Sequence, residues 1–178
     1  DNVYDNSKFD GCKCVPNMVY EITDEFYFLQ PSPHSKLYRT EICKNIKFPK
    51  KVSFTDYLLY LLALCNAKRV MYIEDALSYY LVDRPGNSMT DTKEKVFEDH
   101  KIVLESVLSQ IKPEYNRVIY ARVFFQYRNV LLFLNQTGSK ETKIKYAPKY
   151  LELIDLLIPY KKYILKYYPE LTLKNRIY

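Results

Sequence analysis

The chain has 178 residues, of which 48% are hydrophobic, so it can bury a core as one domain or two small ones. Its longest apolar runs, around 57–65 and 130–134, are too short for a transmembrane helix, which needs about 20 apolar residues. The first residues are acidic and polar, unlike the basic and then apolar start of a signal peptide. We therefore expect a globular, cytoplasmic protein rather than one that spans a membrane.

The formal net charge of +6 is unevenly distributed along the chain. Residues 1–33 hold two lysines against six acidic residues, whereas residues 137–178 hold nine basic residues against four acidic ones. The basic end carries no recognisable nucleic-acid motif, so we expect no nucleic-acid partner. An anionic membrane surface or a phosphate-bearing lipid fits this charge at least as well, which leaves peripheral membrane association open.

The cysteines do not have the spacing of a metal site. They are Cys12, Cys14, Cys43 and Cys65. Only Cys12 and Cys14 lie close together, and their one-residue separation differs from the about two to four residues between most zinc ligands. We expect reduced thiols with a structural role.

Residues 1–90 mix β-favouring runs with two helical patterns. The runs at 18–22 and 26–29 predict a hairpin or meander. Residues 35–44 predict a short helix, and a stronger one is expected from Ser53 to about Cys65, where apolar residues recur at helical spacing. Two more strands are expected at 69–73 and 76–82, before a Pro-Gly-Asn turn within 83–88.

Beyond residue 90 the pattern is helical. Asp91 and Glu94 have the spacing of a capping box, and the helix that they open carries apolar residues and His100 on one stripe. We interpret His100 as a packed histidine, since no further metal ligands accompany it. Further helices are predicted over 113–136, 142–157 and 160–168. Gly138 suits the left-handed conformation that ends many helices.

These elements predict an α+β, helix-dominated fold. It has a small sheet with helices in residues 1–90 and a helical bundle in residues 91–178. The helix over 113–136 is apolar nearly all round, so it should be the most buried helix of the C-terminal part. No low-complexity linker separates the two regions, which makes the boundary near residue 90 a change of architecture.

One carboxylate, Asp56, opens the predicted helix that begins at Ser53. These two residues have the spacing of a capping box, in which Asp56 only caps the helix and meets its positive end. The same helix end would keep the carboxylate ionised, as a general base must be. On the residues alone, the capping role is favoured.

Motifs in the first half of the chain resemble the acceptor-side half of bacterial family 2 glycosyltransferases. They are, in order, Lys36-Leu37-Tyr38-Arg39, Phe48-Pro49, the helix-opening Thr55-Asp56, and Tyr79-Tyr80 before Ser88-Met89-Thr90. Two positions differ from the family pattern: Thr55 stands where Glu is usual, and Leu81 stands where Arg is usual. The resemblance implies that residues 1–90 are part of a GT-A-like domain.

The resemblance also implies a function, namely an inverting, nucleotide-sugar-dependent glycosyltransferase that builds a bacterial surface polysaccharide or related glycan. In such an enzyme Asp56 would be the base that takes the proton of the acceptor hydroxyl. The candidate substrate-binding residues are Lys36, Tyr38, Arg84, Ser88 and His34. Lys36 and Arg84 suit a phosphate group; as alternatives, Lys36 lies on a solvated helix face and Arg84 in a plain turn.

The family's donor-binding half is an N-terminal βαβ region in which an Asp-x-Asp motif holds the nucleotide diphosphate through a divalent cation. This chain contains no Asp-x-Asp motif and, with three glycines, no Gly-rich phosphate loop. We therefore expect a C-terminal fragment of a longer enzyme, with Mg²⁺ or Mn²⁺ bound through the missing half and no cofactor within this chain. The partners of the intact enzyme would be a nucleotide-sugar donor and a glycan or lipid-linked acceptor.

A non-catalytic role is the alternative functional hypothesis. The predicted helix over 160–168 places aromatic and apolar residues on one side and Lys162 with Lys166 on another. This pattern is typical of a helix that lies on an anionic bilayer, and also of a last helix that packs onto a bundle. The alternative is a helical module that docks a partner protein or an anionic membrane surface.

Overall fold

A computed structural model describes residues 14–79, 94–169 and 171. Within these ranges the sheet has two short antiparallel strands, Val19–Glu21 (β1) and Arg69–Met71 (β2). The register pairs Tyr20 with Val70, and both side chains are partly buried against the hydrophobic core. The other two pairs of the sheet are exposed, as the alternation along a strand requires.

Helices make up most of the described chain. The α-helices are Thr40–Cys43 (α1), Thr55–Asn66 (α2), Lys95–Leu108 (α3), Val118–Thr137 (α4), Lys140–Leu157 (α5) and Lys161–Tyr167 (α6). Shorter 3-10 helices are found at Asp24–Phe28, Pro33–Ser35 and Ile158–Tyr160. The predicted helix-dominated α+β fold is therefore confirmed. None of the helices in the described ranges is long and apolar enough to cross a bilayer.

The helix α4 lies at the centre of the packing, in contact with α3, α5 and α6. Among the described helices it buries the most residues, as its apolar sequence predicted. Side chains from both sides of residues 80–93 share one hydrophobic core, to which α2 contributes Leu58 and Leu61. Because burial of each such side chain stabilises the fold by about 1.5–3 kcal/mol, α2 is held firmly in place.

The predicted strand at 26–29 is wrong, because residues 26–28 belong to the 3-10 helix Asp24–Phe28 and Leu29 is its C-cap residue. Phe26 and Tyr27 are both buried, whereas consecutive residues of a strand point to opposite faces. Side chains of distant helices bind the backbone here. Tyr60 donates a hydrogen bond to the Phe26 carbonyl, and Arg122 Nε donates one to the Tyr27 carbonyl at 2.9 Å.

The predicted helix over 35–44 is much shorter in the structure, where only Thr40–Cys43 is α-helical. Leu37, which was expected on an apolar helix side, is 93% exposed. Lys36 has an extended backbone, and its ammonium donates hydrogen bonds to carbonyls at positions 30 and 32. These bonds fix the chain in a conformation that is not helical.

Two further predictions of local structure differ from the fold. Residues 76–79 were expected to begin a strand, but they are exposed and lie outside the sheet. Gly138 has φ −70° and ψ 137°, so it is not left-handed, and its N–H donates to the Leu134 carbonyl at 2.9 Å. The residues 80–82 of that strand and Asp91 of the predicted capping box lie outside the described ranges.

The aromatic side of α6 is packed against α4. Tyr160, just before α6, stacks on Tyr120 with ring centroids 3.6 Å apart. Ile164 is buried, and Tyr168 contacts the ring of Phe124. The apolar stripe predicted for the last helix is therefore occupied by packing within the chain, while Lys161 and Lys162 remain exposed.

Candidate active site

The candidate site is built around Asp56, which lies in the first turn of α2. The next two residues, Tyr57 and Leu58, are buried in the core. The Tyr57 hydroxyl also donates a hydrogen bond to the Arg122 carbonyl of α4 at 2.9 Å. The core therefore fixes the helix on which the half-buried Asp56 carboxylate sits.

The start of α2 has an unusual backbone. Phe54, the N-cap residue, is left-handed with φ 63° and ψ 22°, which is uncommon for an aromatic residue. The predicted capping box is wrong, because α2 begins after Phe54 and the N-cap side chain makes no capping hydrogen bond. Instead, the Ser53 N–H donates to Asp99 Oδ2 of α3 at 3.0 Å.

Asp99 is a buried, charged anchor for this turn. It is 3% exposed and also accepts a hydrogen bond from Lys95 Nζ at 2.5 Å. Burial alone would raise the pKa of Asp99, but the hydrogen bonds from Lys95 and Ser53 outweigh it, and the pKa is lowered. The ionised carboxylate therefore ties the chain before α2 to α3.

His100, the next residue of α3, lies against Phe54. The two ring centroids are 3.9 Å apart, with an interplanar angle of 32°. His100 Nδ1 is 2.9 Å from the Val96 carbonyl; since a carbonyl only accepts, Nδ1 carries a proton. Burial lowers the pKa of His100, opposed by that hydrogen bond and by the negative charges of Asp99 and Asp56.

The charges of Lys36 and Asp56 interact with each other. Lys36 Nζ donates to the carbonyls of Gln30 at 2.5 Å and Ser32 at 2.9 Å, and it lies 5.2 Å from the centre of the Tyr60 ring. Burial lowers the pKa of Lys36 to about 8, and the charge of Asp56 opposes this shift. The alternative of a solvated helix face is therefore wrong for Lys36.

The other predicted substrate-binding residues have different surroundings. Tyr38 is partly buried; burial raises its pKa, and the charges of Cys43 and Asp56 add to the shift. His34 is exposed, and its backbone carbonyl accepts a hydrogen bond from the Ser78 hydroxyl at 2.8 Å. Arg84 and Ser88 lie outside the described residues. The structure thus brings Lys36 and Tyr38 near Asp56 and ties His34 to a different segment.

Burial has the largest effect on the pKa of Asp56. It raises the pKa of the carboxyl, and the N–H groups of Tyr57 and Asp56 and the charges of His100 and Lys36 compensate only in part. The N–H groups of the helix end favour the ionised carboxylate, as expected, but burial has the larger effect on its pKa. A carboxylate with a raised pKa binds a proton more strongly, which favours its use as a general base.

Sequence reasoning missed Asp99 and His100 as neighbours of the site. His100 is packed, as predicted, but it is packed against Phe54 and interacts with the charge of Asp56. No local pattern links α3 to the turn before α2, because the contacts depend on how the two helices cross. A polar residue such as Asp99 within a buried helix stripe is the one sequence signal available.

The carboxylates of the described chain do not fit a divalent-cation site. Within residues 14–79, 94–169 and 171, no three His, Cys, Asp or Glu side chains cluster closely enough to hold a metal ion. Mg²⁺ and Mn²⁺ prefer several oxygen ligands. The expectation that Mg²⁺ or Mn²⁺ is bound through the missing half of the enzyme stays a prediction.

Comparison with known proteins identifies no relatives: no family model, no curated protein and no solved structure matches the chain.

Proposed function

We propose that the chain is the acceptor-side part of an inverting, nucleotide-sugar-dependent glycosyltransferase of bacterial surface polysaccharide or glycan synthesis. The proposal depends on the order of the motifs that resemble family 2 glycosyltransferases. The observation that supports it best is the environment of Asp56, a half-buried carboxylate of raised pKa that interacts with the charge of Lys36.

In the proposed reaction Asp56 is the general base. Its carboxylate takes the proton of an acceptor hydroxyl while that oxygen forms a bond to the anomeric carbon of the donor sugar. The bond from the anomeric carbon to the diphosphate breaks, and the nucleoside diphosphate leaves with its electron pair. Attack from the opposite side inverts the anomeric configuration.

The cationic side of the site is assigned to Lys36. Its ammonium is held by two backbone carbonyls, so its position is fixed before a substrate arrives. A fixed ammonium close to a base suits an acceptor or donor that carries phosphate. Tyr38 adds a hydroxyl that burial keeps protonated, since its pKa is raised.

The test uses the full-length protein that contains this chain, assayed with UDP-, GDP- and CDP-linked sugars and Mn²⁺. Asp56→Asn should lower kcat by about 10²–10⁴ through loss of general-base catalysis, without a change in the urea midpoint beyond that of a surface variant. Asp155→Asn, an exposed aspartate of α5, is the matched control. Full activity of Asp56→Asn, or no transfer from any of these donors by the unmodified protein, would refute the proposal.

A further inference from the structure

Two consecutive residues of α3 hold two consecutive residues before α2. Asp99 accepts a hydrogen bond from the Ser53 N–H at 3.0 Å, and the His100 ring stacks on Phe54 with centroids 3.9 Å apart. Asp56 lies two residues after Phe54, in the first turn of α2. The position of its carboxylate therefore depends on α3 as well as on α2.

The left-handed backbone of Phe54 makes this clamp necessary. An aromatic residue with φ 63° costs about 1–3 kcal/mol relative to an ordinary conformation. The side chain makes no capping hydrogen bond that would compensate. The stacking on His100 and the adjacent Ser53 bond hold this turn against α3, together with a hydrogen bond from Lys95 Nζ to the Lys51 carbonyl at 3.4 Å.

His100 has one fixed tautomer in this arrangement. Because Nδ1 donates to the Val96 carbonyl at 2.9 Å, the lone pair of the neutral ring lies on Nε2. A proton can therefore be gained only at Nε2. Two carboxylates act on that charge: Asp99, the preceding residue of α3, and Asp56, across the interface with α2. Lys36 in turn acts on Asp56.

We propose that His100 is a positioning residue for Asp56, which it orients through the stacked ring of Phe54 and whose charge it faces across the interface between α2 and α3. The inference rests on the proposed function for its catalytic consequence, but the coupling itself is a property of the chain. A proton on His100 favours the ionised form of Asp56, and an ionised Asp56 favours a proton on His100. The base therefore stays ionised to lower pH than its burial alone would allow.

The first test is a titration of the 178-residue chain by proton NMR. The chain has two histidines, so the ring signals of His34 and His100 are separated by one variant, His34→Gln. In Asp56→Asn the titration midpoint of His100 should fall, because a charge that raises it has been removed. Asp155→Asn, which changes an exposed aspartate of α5, should leave the midpoint of His100 unchanged.

The second test measures the effect of His100 on the titration of Asp56. His100→Phe keeps a ring that can stack on Phe54 but has no proton to bind, so it separates packing from charge. The carboxyl titration of Asp56, followed by carbon NMR, should move to higher pH in His100→Phe. By linkage, this shift and the fall of the His100 midpoint in Asp56→Asn report the same interaction, so both should be present and of comparable size.

The outcomes distinguish this inference from the proposed function. An unchanged His100 midpoint in Asp56→Asn would overturn the inference and leave His100 as a packed histidine. In the full-length enzyme, the acid limb of kcat should move to higher pH in His100→Phe, whereas a merely structural residue would lower kcat at all pH values. A coupled titration without any transfer activity would support the pair and refute the glycosyltransferase.

Discussion

The Tyr167 hydroxyl of α6 donates a hydrogen bond to the carboxylate of Asp24, which lies in the 3-10 helix Asp24–Phe28 near the other end of the chain. The same carboxylate accepts hydrogen bonds from Asn116 Nδ2 at 2.8 Å and Lys166 Nζ at 3.2 Å. Asp24 thus connects its own segment with the residues before α4 and with α6. These three hydrogen bonds hold the 3-10 helix Asp24–Phe28 against the helical bundle.

The first prediction concerns the stability that Asp24 provides. Asp24→Ala should lower the free energy of unfolding at neutral pH by about 1 kcal/mol, a value discounted because the carboxylate is partly exposed. Urea denaturation measures the difference. Asp155→Ala, which removes an exposed aspartate of α5, should leave the free energy of unfolding almost unchanged.

The pH dependence of this contribution has a defined sign. Burial alone would raise the pKa of Asp24, but the hydrogen bonds from Tyr167, Asn116 and Lys166 outweigh it, so the pKa is lowered. A lowered carboxyl pKa stabilises the fold above the unfolded pKa of about 3.9, and this stabilisation is lost as the pH falls through the folded pKa. The difference between the native protein and Asp24→Ala should therefore shrink below about pH 4. A difference that is constant with pH would contradict the ionic network.

The second prediction concerns Arg122, a buried cation of α4. It is 3% exposed, its Nε donates to the Tyr27 carbonyl at 2.9 Å, and its guanidinium lies 5.0 Å from the ring centres of Tyr57 and Phe125. Within the described residues Nη1 has no hydrogen-bond partner, and no ion pair involves Arg122. A buried charge without an ion-pair partner is costly to remove from water, so Arg122 stabilises the fold less than its packing contacts alone would.

Two substitutions separate the packing of Arg122 from its charge. Arg122→Ala should lower the free energy of unfolding by about 2–4 kcal/mol because it leaves a cavity between two rings. Arg122→Met fills most of that space and removes the unpaired nitrogen, so its loss should be less than half as large. Equal losses in urea denaturation would show that the guanidinium itself, through Tyr27 and the rings, holds the helices together.

The helices could be predicted because the spacing of apolar residues that indicates them is a local feature of the sequence. In α2, Tyr57, Leu58, Leu61 and Leu62 recur at helical spacing, and all four are buried. The segment 26–29 could not be predicted in this way. Its aromatic residues favour a strand, but the conformation is decided by Tyr60 and Arg122, whose side chains bind its carbonyls from distant helices.

The candidate site also combines residues that local sequence patterns predict with residues that only the packing of distant segments brings together. Asp56 and Lys36 were predicted from short motifs of the sequence, and the charge of each acts on the pKa of the other. Their roles in catalysis and substrate binding stay predictions. The clamp formed by Asp99 and His100 was not found, because it arises from the packing of α3 against the turn before α2. The left-handed Phe54 was equally hidden, since no glycine or asparagine marks it in the sequence.

The third prediction concerns Gly138, where α4 ends. A Cβ atom at this position would lie 2.6 Å from the Leu134 carbonyl oxygen and 3.0 Å from Leu134 Cδ1. Although replacing glycine in a permitted conformation usually stabilises a protein by about 0.4–1 kcal/mol, the contact with a backbone atom should reverse the sign. Gly138→Ala should destabilise the chain by about 1–3 kcal/mol in urea denaturation.

A variant at the next residue, Ser139→Ala, provides a reference for the loss of stability expected in Gly138→Ala. Ser139 caps α5 by accepting a hydrogen bond from the Thr142 N–H at 3.1 Å, so Ser139→Ala should lose about 1 kcal/mol. Both variants change the same short connection between α4 and α5. If Gly138→Ala were as stable as the native chain while Ser139→Ala lost its cap energy, the close approach of Gly138 to Leu134 would be disproved.

The last prediction concerns the pH dependence that Lys36 imparts. Burial lowers the pKa of Lys36 from 10.5 to about 8, so between these values the unfolded chain binds more protons than the folded one. The contribution of Lys36 to stability must therefore increase as the pH rises through this window. In Lys36→Met this increase is absent. Tyr57 and Cys65 have raised pKa values that act in the opposite direction, but they are present in both proteins and cancel in the difference.

Urea denaturation at about pH 7.5 and about pH 10 measures this difference. The free energy of unfolding of the native chain, relative to Lys36→Met, should be more favourable at the higher pH, because the buried ammonium has then lost its proton. Lys162→Met, which removes an exposed lysine of α6, is the matched control. A difference that is independent of pH would mean that the Lys36 ammonium is as well hydrated as Lys162, and would remove the fixed cation from the neighbourhood of Asp56.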